Sequence, residues 1–196
     1  MNHYYSEHPS TPSDPIQFDV KIFDRVFTFT SDRGVFSKNH LDFASRLLIE
    51  NVTLKESESM LDLGCGVGVI GLILEAKYQV KTTLVDINER AIELTNINKQ
   101  KLNSKATVLK SDGFTQLKHQ SFDHIMSNPP IRIGKKELYQ MLQKATEHLH
   151  KDGALWVVMH KKHGVESLIH FMDQNHRVET VIRKKGFKLL KIQNSN

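Results

Sequence analysis

Three short stretches hold residue types that could act together on one small molecule. The first is Asp62-Leu63-Gly64-Cys65-Gly66-Val67-Gly68, where an apolar run ends in an acid and breaks into alternating glycines. This is the pattern of a buried strand turning sharply into a helix. Glycine has no Cβ and reaches positive φ at little steric cost, so backbone there can approach a ligand closely. The second is Asp86, 18 residues beyond Gly68. A carboxylate at a strand end can accept both hydrogens of a ribose diol. The third is Ser127-Asn128-Pro129-Pro130-Ile131, with Asn128 lying 60 residues beyond Gly68. Two successive prolines lock φ and remove two donors, and the first holds Asn128 extended. The Asn128 side-chain oxygen and the Pro129 carbonyl can then take both hydrogens of one exocyclic amine. That alignment turns the amine lone pair toward an electrophile and stabilises positive charge growing on nitrogen, with no strong general base required. Asn128, Pro129 and Pro130 are therefore the candidate catalytic residues.

Two cofactor classes use such a glycine turn. Gly66-Val67-Gly68-Val69-Ile70-Gly71 satisfies the dinucleotide pattern G-x-G-x-x-G. The acid ahead of the first glycine points elsewhere, because a pyrophosphate prefers that position neutral. Asp62 to Gly68 looks like the first motif of the class I S-adenosylmethionine-dependent methyltransferases, whose cofactor brings an ammonium and a sulfonium. A dehydrogenase predicts nothing at Asn128. Ser111-Asp112-Gly113-Phe114 adds Asp112 as an acceptor for an adenine amine, with Ile87 or Phe114 walling the ring.

These residues need a scaffold that brings them to one edge. Residues 16–22 and 26–30 alternate apolar and polar as a β-hairpin does. A helix follows, with Leu41, Ala44, Leu47 and Leu48 on one stripe and Asn39 as its expected N-cap. Strands are predicted at 59–63, 81–86, 106–110, 122–127 and 154–159, and helices at 68–77, 89–102 (capped by Asn88), 136–149 and 165–175. Two last strands, 178–184 and 187–193, are joined by the hairpin signal Lys185-Gly186. Alternating strands and helices imply an α/β, doubly wound, mostly parallel sheet closed by an antiparallel C-terminal hairpin. Ligands of such sheets sit at the carboxyl ends of the strands, where every motif above falls. Residues 1–15 read as a flexible tail. Residues 16–196 read as a single domain, with a hairpin and helix over 16–58 and the core over 59–193.

The chain has 196 residues, no apolar run fit to cross a membrane, and no secretory leader pattern in its polar N-terminus. Its one cysteine, Cys65, rules out an internal disulfide and fits a reducing cytoplasm. Net charge of +5 hides an asymmetry, −5 over residues 1–98 and +10 over residues 99–196. A basic acceptor half suits a polyanion such as RNA. Arg132, Lys135 and Lys136 follow the Asn-Pro-Pro stretch, and Lys161 and Lys162 follow the fifth predicted strand of the core; all five are candidate phosphate contacts. His160 and His163 flank that lysine pair without a nearby cysteine or acid, so no metal site is expected.

The chain resembles the ribosomal small-subunit RNA guanine-N2 methyltransferases of the C type, above all short single-domain bacterial relatives. The resemblance runs through Gly34-Val35-Phe36-Ser37 with Leu41-Asp42-Phe43, Leu61 to Gly66, Val85-Asp86-Ile87-Asn88 and Ser127 to Arg132. It implies a seven-stranded Rossmann-like methyltransferase sheet and S-adenosylmethionine as cofactor. It further implies that Phe36, Ser37 and Asp42 close over that cofactor beside Asp62, Gly64, Gly66, Gly68, Asp86, Ile87, Asp112 and Gly113. The partner implied is ribosomal RNA or the small subunit. Longer family members carry a second domain, absent from this sequence, and Ile131 stands where the family often has a stacking aromatic. Two other readings stay open: a protein-glutamine or small-molecule amine methyltransferase, and a non-catalytic RNA-binding module.

Overall fold

The computed structural model describes residues 14–32 and 40–195. Most of the expected tail lies outside these residues, as do Phe36, Ser37 and the expected cap Asn39. The chain opens with a hairpin, β1 (Ile16–Ile22) and β2 (Arg25–Ser31), followed by α1 (Phe43–Asn51). The turn residues Phe23 and Asp24 both adopt positive φ, which matches the twist of the flanking strands. Next come β3 (Ser59–Leu63), α2 (Val69–Tyr78), β4 (Lys81–Asp86), α3 (Glu89–Lys101) and β5 (Thr107–Lys110). The second half holds β6 (Phe122–Ser127), α4 (Lys135–Glu147), β7 (Leu149–His160), α5 (Val165–Met172), β8 (His176–Lys184) and β9 (Phe187–Asn194).

Seven of these strands form one sheet in the order β5-β4-β3-β6-β7-β9-β8. The first five in that row are parallel, and β9 pairs antiparallel with both β7 and β8. The sheet is the doubly wound one expected, ending in the expected hairpin. Strand order reverses between β3 and β6, so a crevice opens at their carboxyl ends. Asp62 and Asn128 lie at the ends of those two strands.

The central strands β3 and β7 are buried on both faces over Met60–Leu63 and Ala154–Met159, and the second of these reads as a continuous apolar run. Met60, Leu84 and Met126 pack on one side with α1 and α2, while Leu61, Val85 and Ile125 pack on the other with α4 and α5. A Cβ at Gly71 would collide with Leu84 Cδ2 and stand 3.2 Å from Asp62 Cβ. Glycine at that point lets α2 sit close against the sheet. The β1–β2 hairpin forms its own small sheet and is fastened by Asn98 of α3. Asn98 Oδ1 accepts from Thr30 N at 2.7 Å, and its Nδ2 donates to Thr30 O and Val67 O, both at 2.9 Å.

Most boundaries fall within two residues of expectation, and three differences are larger. The N-cap of α1 is Asp42, whose side chain accepts from Ser45 N at 3.0 Å. Leu149, expected to end a helix, begins β7, where it pairs with Phe122 ahead of a register shift that admits His150 to Gly153. Its spacing from Leu142 and Ala145 fits a helix, but burial against Phe122 is equally met by a strand. α5 stops at Met172 instead of 175, with Asp173 as its C-cap.

Candidate active site

The chain leaves β3 through Gly64, Gly66 and Gly68, with φ of 75°, 56° and 84°. Gly64 N and Cys65 N donate to Val85 O at 3.0 and 2.9 Å, which pins the turn to β4. A Cβ on Gly64 or Gly66 would meet nothing within 4 Å, so these two glycines face open space. Gly68 sits behind them as the N-cap of α2, with Leu72 and Thr95 against it.

Asp86 ends β4 as the spacing predicts. Its Oδ2 accepts from Gly66 N at 2.9 Å and its Oδ1 from Asn88 N at 2.8 Å. Each carboxylate oxygen keeps acceptor capacity after one such bond. Burial raises its pKa, and the amides of Asn88, Gly66 and Ile87 oppose that rise. Asp62 is placed differently from a ligand-facing acid. It is buried off the cavity wall, with Oδ2 accepting from Gly71 N at 2.8 Å and Oδ1 without a hydrogen-bond partner among the described residues. Burial pushes its carboxyl up to about 7; the Gly71 amide opposes this and the nearby Asp86 charge adds to it.

A cavity runs along the carboxyl ends of β3, β4 and β6. Gly64, Gly66, Asp86 and Ile87 form one side, Asp112 and Gly113 flank it, and Asp42, Asn128 and Pro130 close the other. Phe114, expected as a ring wall, instead lies in the core, stacked on His148 at 4.3 Å. The same motif thus supplies Asp112 to the cavity and Phe114 to the interior, because the chain turns between them at Gly113, whose φ is 52°.

Asn128 is held from behind. Its Nδ2 donates to Ser45 Oγ at 3.0 Å and to Asp42 Oδ1 at 3.3 Å. A second cavity begins on its far side, lined by Pro129, Ile131, Phe43, His160 and Phe187, and sharing Asp42 and Asn128 with the first. The two prolines part company here: Pro130 lines the first cavity and Pro129 the second. Sequence reading missed Ser45, Phe43 and Phe187. Phe43 stands in the Leu41-Asp42-Phe43 stretch that carries the resemblance, and Ser45 three residues after Asp42, the only signals for those two.

The basic candidates stand outside both cavities. Arg132, Lys135 and Lys136 are exposed on the 3-10 turn Ile131–Ile133 and the first turn of α4, with Lys135 Nζ 5.4 Å from the Tyr139 ring centroid. Lys161 and Lys162 are exposed on the 3-10 turn Lys161–His163. Among the described residues no cluster of three His, Cys, Asp or Glu side chains could hold a metal, and no helix is long and apolar enough to cross a membrane.

A doubly wound seven-stranded sheet with this glycine turn and strand-end acid defines a class I S-adenosylmethionine-dependent methyltransferase. The Methyltransferase small domain family matches residues 26–191, and the chain belongs to that family. It is 42% identical over 194 residues to the uncharacterized protein YbxB of Bacillus subtilis (strain 168), covering 96% of each chain. It is also 33% identical over 178 residues to the ribosomal RNA small subunit methyltransferase C of Psychromonas ingrahamii, covering 88% of this chain and 50% of the relative. The chain spans half or less of the length of the methyltransferase C relatives it matches. In fold it matches the T. thermophilus 16S rRNA N2 methyltransferase RsmC, solved with AdoMet and guanosine. The TM-score is 0.83 at 24% identity, over 95% of this chain and 52% of that one. The cofactor of the class is S-adenosylmethionine, and the cavity suits it: glycine backbone faces open space beside the half-buried Asp86 carboxylate, which has acceptor capacity to spare.

Proposed function

We propose that this protein methylates the N2 amine of a guanine in small-subunit ribosomal RNA, in the cytoplasm, as a single methyltransferase domain over residues 16–196. The observation that carries the reading is the place of Asn128, on the shared wall of two cavities with its amide nitrogen already engaged. The names of the methyltransferase C relatives and the structural likeness to the N2 enzyme support the substrate.

In this reading Asp86 accepts from the ribose hydroxyls, and Ile87, Asp112 and Gly113 border the adenine. Gly64 and Gly66 give the cofactor room, and Asp42 borders its methionine end. Asp62 and Gly68 shape the turn from behind. Phe36 and Ser37, outside the described residues, join the cofactor contacts on the resemblance alone. When bound, S-adenosylmethionine supplies an electrophilic methyl on its sulfonium. The Asn128 Oδ1 and the Pro129 carbonyl take the two amine hydrogens and direct the nitrogen lone pair at that methyl. They also stabilise the cationic nitrogen formed on transfer, and its proton then leaves to solvent. Arg132, Lys135, Lys136, Lys161 and Lys162 meet phosphates, giving binding that weakens steeply with salt.

Single-turnover methylation of small ribosomal subunits, with product nucleosides identified, tests the proposal. Asn128→Ala should lower turnover by roughly 100-fold, the scale of losing one preorganised polar contact to a transition state. Affinity for S-adenosylhomocysteine should hardly change. Near-wild-type turnover would overturn the mechanism. Methyl found on a protein glutamine would overturn the substrate and leave the role of Asn128 intact.

A further inference from the structure

We infer that the second cavity seats the acceptor base against an aromatic wall of Phe43 and Phe187, with Lys185 at its rim holding the adjoining phosphate. The inference rests on the RNA-methylating function proposed above.

A guanine that presents its amine at Asn128 needs a flat apolar surface for its ring. Ile131, next after the prolines, offers none of the aromatic kind and is 38% exposed. The cavity draws its rings from two other elements instead. Phe43 opens α1 and Phe187 opens β9, and their ring centroids lie 5.4 Å apart with planes at 47°. His160 meets Phe187 edge-on at 4.7 Å, a second aromatic contact on that ring. All three rings line the cavity and stay half-buried, while Val158 and Met159 beneath them are fully buried. A ring already held in place loses little freedom when a base stacks on it.

Charge favours the same occupant. Lys185, exposed in the β8–β9 turn, holds its Nζ 5.1 Å from the Phe43 centroid. Lys161 N donates to Gly186 O at 2.8 Å, so the Lys161–His163 turn and the β8–β9 turn form one rim. Lys161, Lys162 and Lys185 have no carboxylate partner among the described residues, whereas Lys188 nearby is paired with Glu166. Aromatic faces with Lys185 over one of them and two further ammonium groups on the rim, none with a carboxylate partner among the described residues, match a nucleotide, whose ring is flat and whose linkages are anionic. A glutamine side chain of a protein substrate has neither feature.

The test is steady-state methylation of small ribosomal subunits prepared from cells lacking this protein, with S-adenosylhomocysteine affinity measured alongside by calorimetry. Phe187→Leu keeps apolar bulk and removes the aromatic face. It should lower kcat/KM for the subunits about five- to a hundredfold, the scale of losing one base–aromatic stack, with cofactor affinity unchanged. Phe187→Tyr should restore most of that loss, which a mere packing role would not require. Lys185→Asn, which suits the left-handed backbone there (φ 49°), should raise KM and flatten its salt dependence. Wild-type behaviour of Phe187→Leu, while the wild-type enzyme methylates guanine N2, would overturn the inference and leave the proposed function standing. If Phe187→Leu fails to fold, an unchanged KM and salt slope in Lys185→Asn overturns it equally. Absence of RNA methylation by the wild type, or methyl on protein glutamine, would remove the function and the inference together.

Discussion

Asn128 Nδ2 lies 3.3 Å from Asp42 Oδ1, a carboxylate oxygen that also caps α1 through Ser45 N. That oxygen accepts from Ser45 N and from the NH2 end of the Asn128 amide, so Oδ1 of Asn128 is turned the other way. A helix cap thereby sets which end of the amide is turned outward, the end that would meet the acceptor amine in the proposed reading. Asp42→Asn keeps a good cap but tolerates the flipped amide. Thermal stability should stay near wild type while turnover falls about ten- to a hundredfold, the usual result of misplacing a reacting group. Ser45→Ala should lower turnover in the same direction. Unchanged turnover in both variants would show that Asn128 orients itself.

Asp86 is part of the scaffold, and in the proposed reading it is a ligand group as well. Its oxygens hold Gly66 N and Asn88 N, and each should also accept a ribose hydroxyl. Hydrogen bonds to a charged group contribute about 1.5–3 kcal/mol each. Asp86→Ala should therefore weaken S-adenosylhomocysteine binding at least tenfold by calorimetry. Equal affinity in mutant and wild type would place the ribose elsewhere.

The buried Asp62 makes stability depend on pH. Its carboxyl is pushed up to about 7 from an ordinary 3.8. Between about pH 4 and pH 7 the folded chain keeps a proton that the unfolded chain releases, so this group's contribution falls as pH rises and is flat above that window. Asp62→Asn leaves an oxygen for Gly71 N–H and has nothing to ionise. Urea unfolding at pH 5 and pH 8 should show the wild type losing stability relative to Asp62→Asn, by about 1.4 kcal/mol for each pKa unit traversed. Parallel pH profiles would mean Asp62 is already ionised in the lower range.

The sheet was legible because strands alternate with helices along the chain, with a continuous apolar run at Ala154–Met159 and a local cap where Asn88 accepts from Ala91 N. Local chemistry also places Asp86 and Asn128 at strand ends. What stayed hidden depends on contacts distant in sequence. The role of Asp42 as both helix cap and partner of Asn128 joins residues 86 apart. Phe43 and Phe187 come from opposite ends of the chain, and neither has a neighbour that hints at the other. Phe114 and Asp62 misled for one reason: a motif fixes which residues lie near a ligand, but the side each faces follows from how the core fills.

Asn98 joins two distant stretches through one side chain, gripping both backbone groups of Thr30 and the carbonyl of Val67. The hairpin is thus mechanically continuous with the glycine turn, as a strut is with the arch it braces. A slide of β2 by an ångström would drag on Val67, between Gly66 and Gly68, or break a buried bond. Trimming the N-terminal hairpin would accordingly loosen the cofactor turn from a distance, although no hairpin residue lines its cavity.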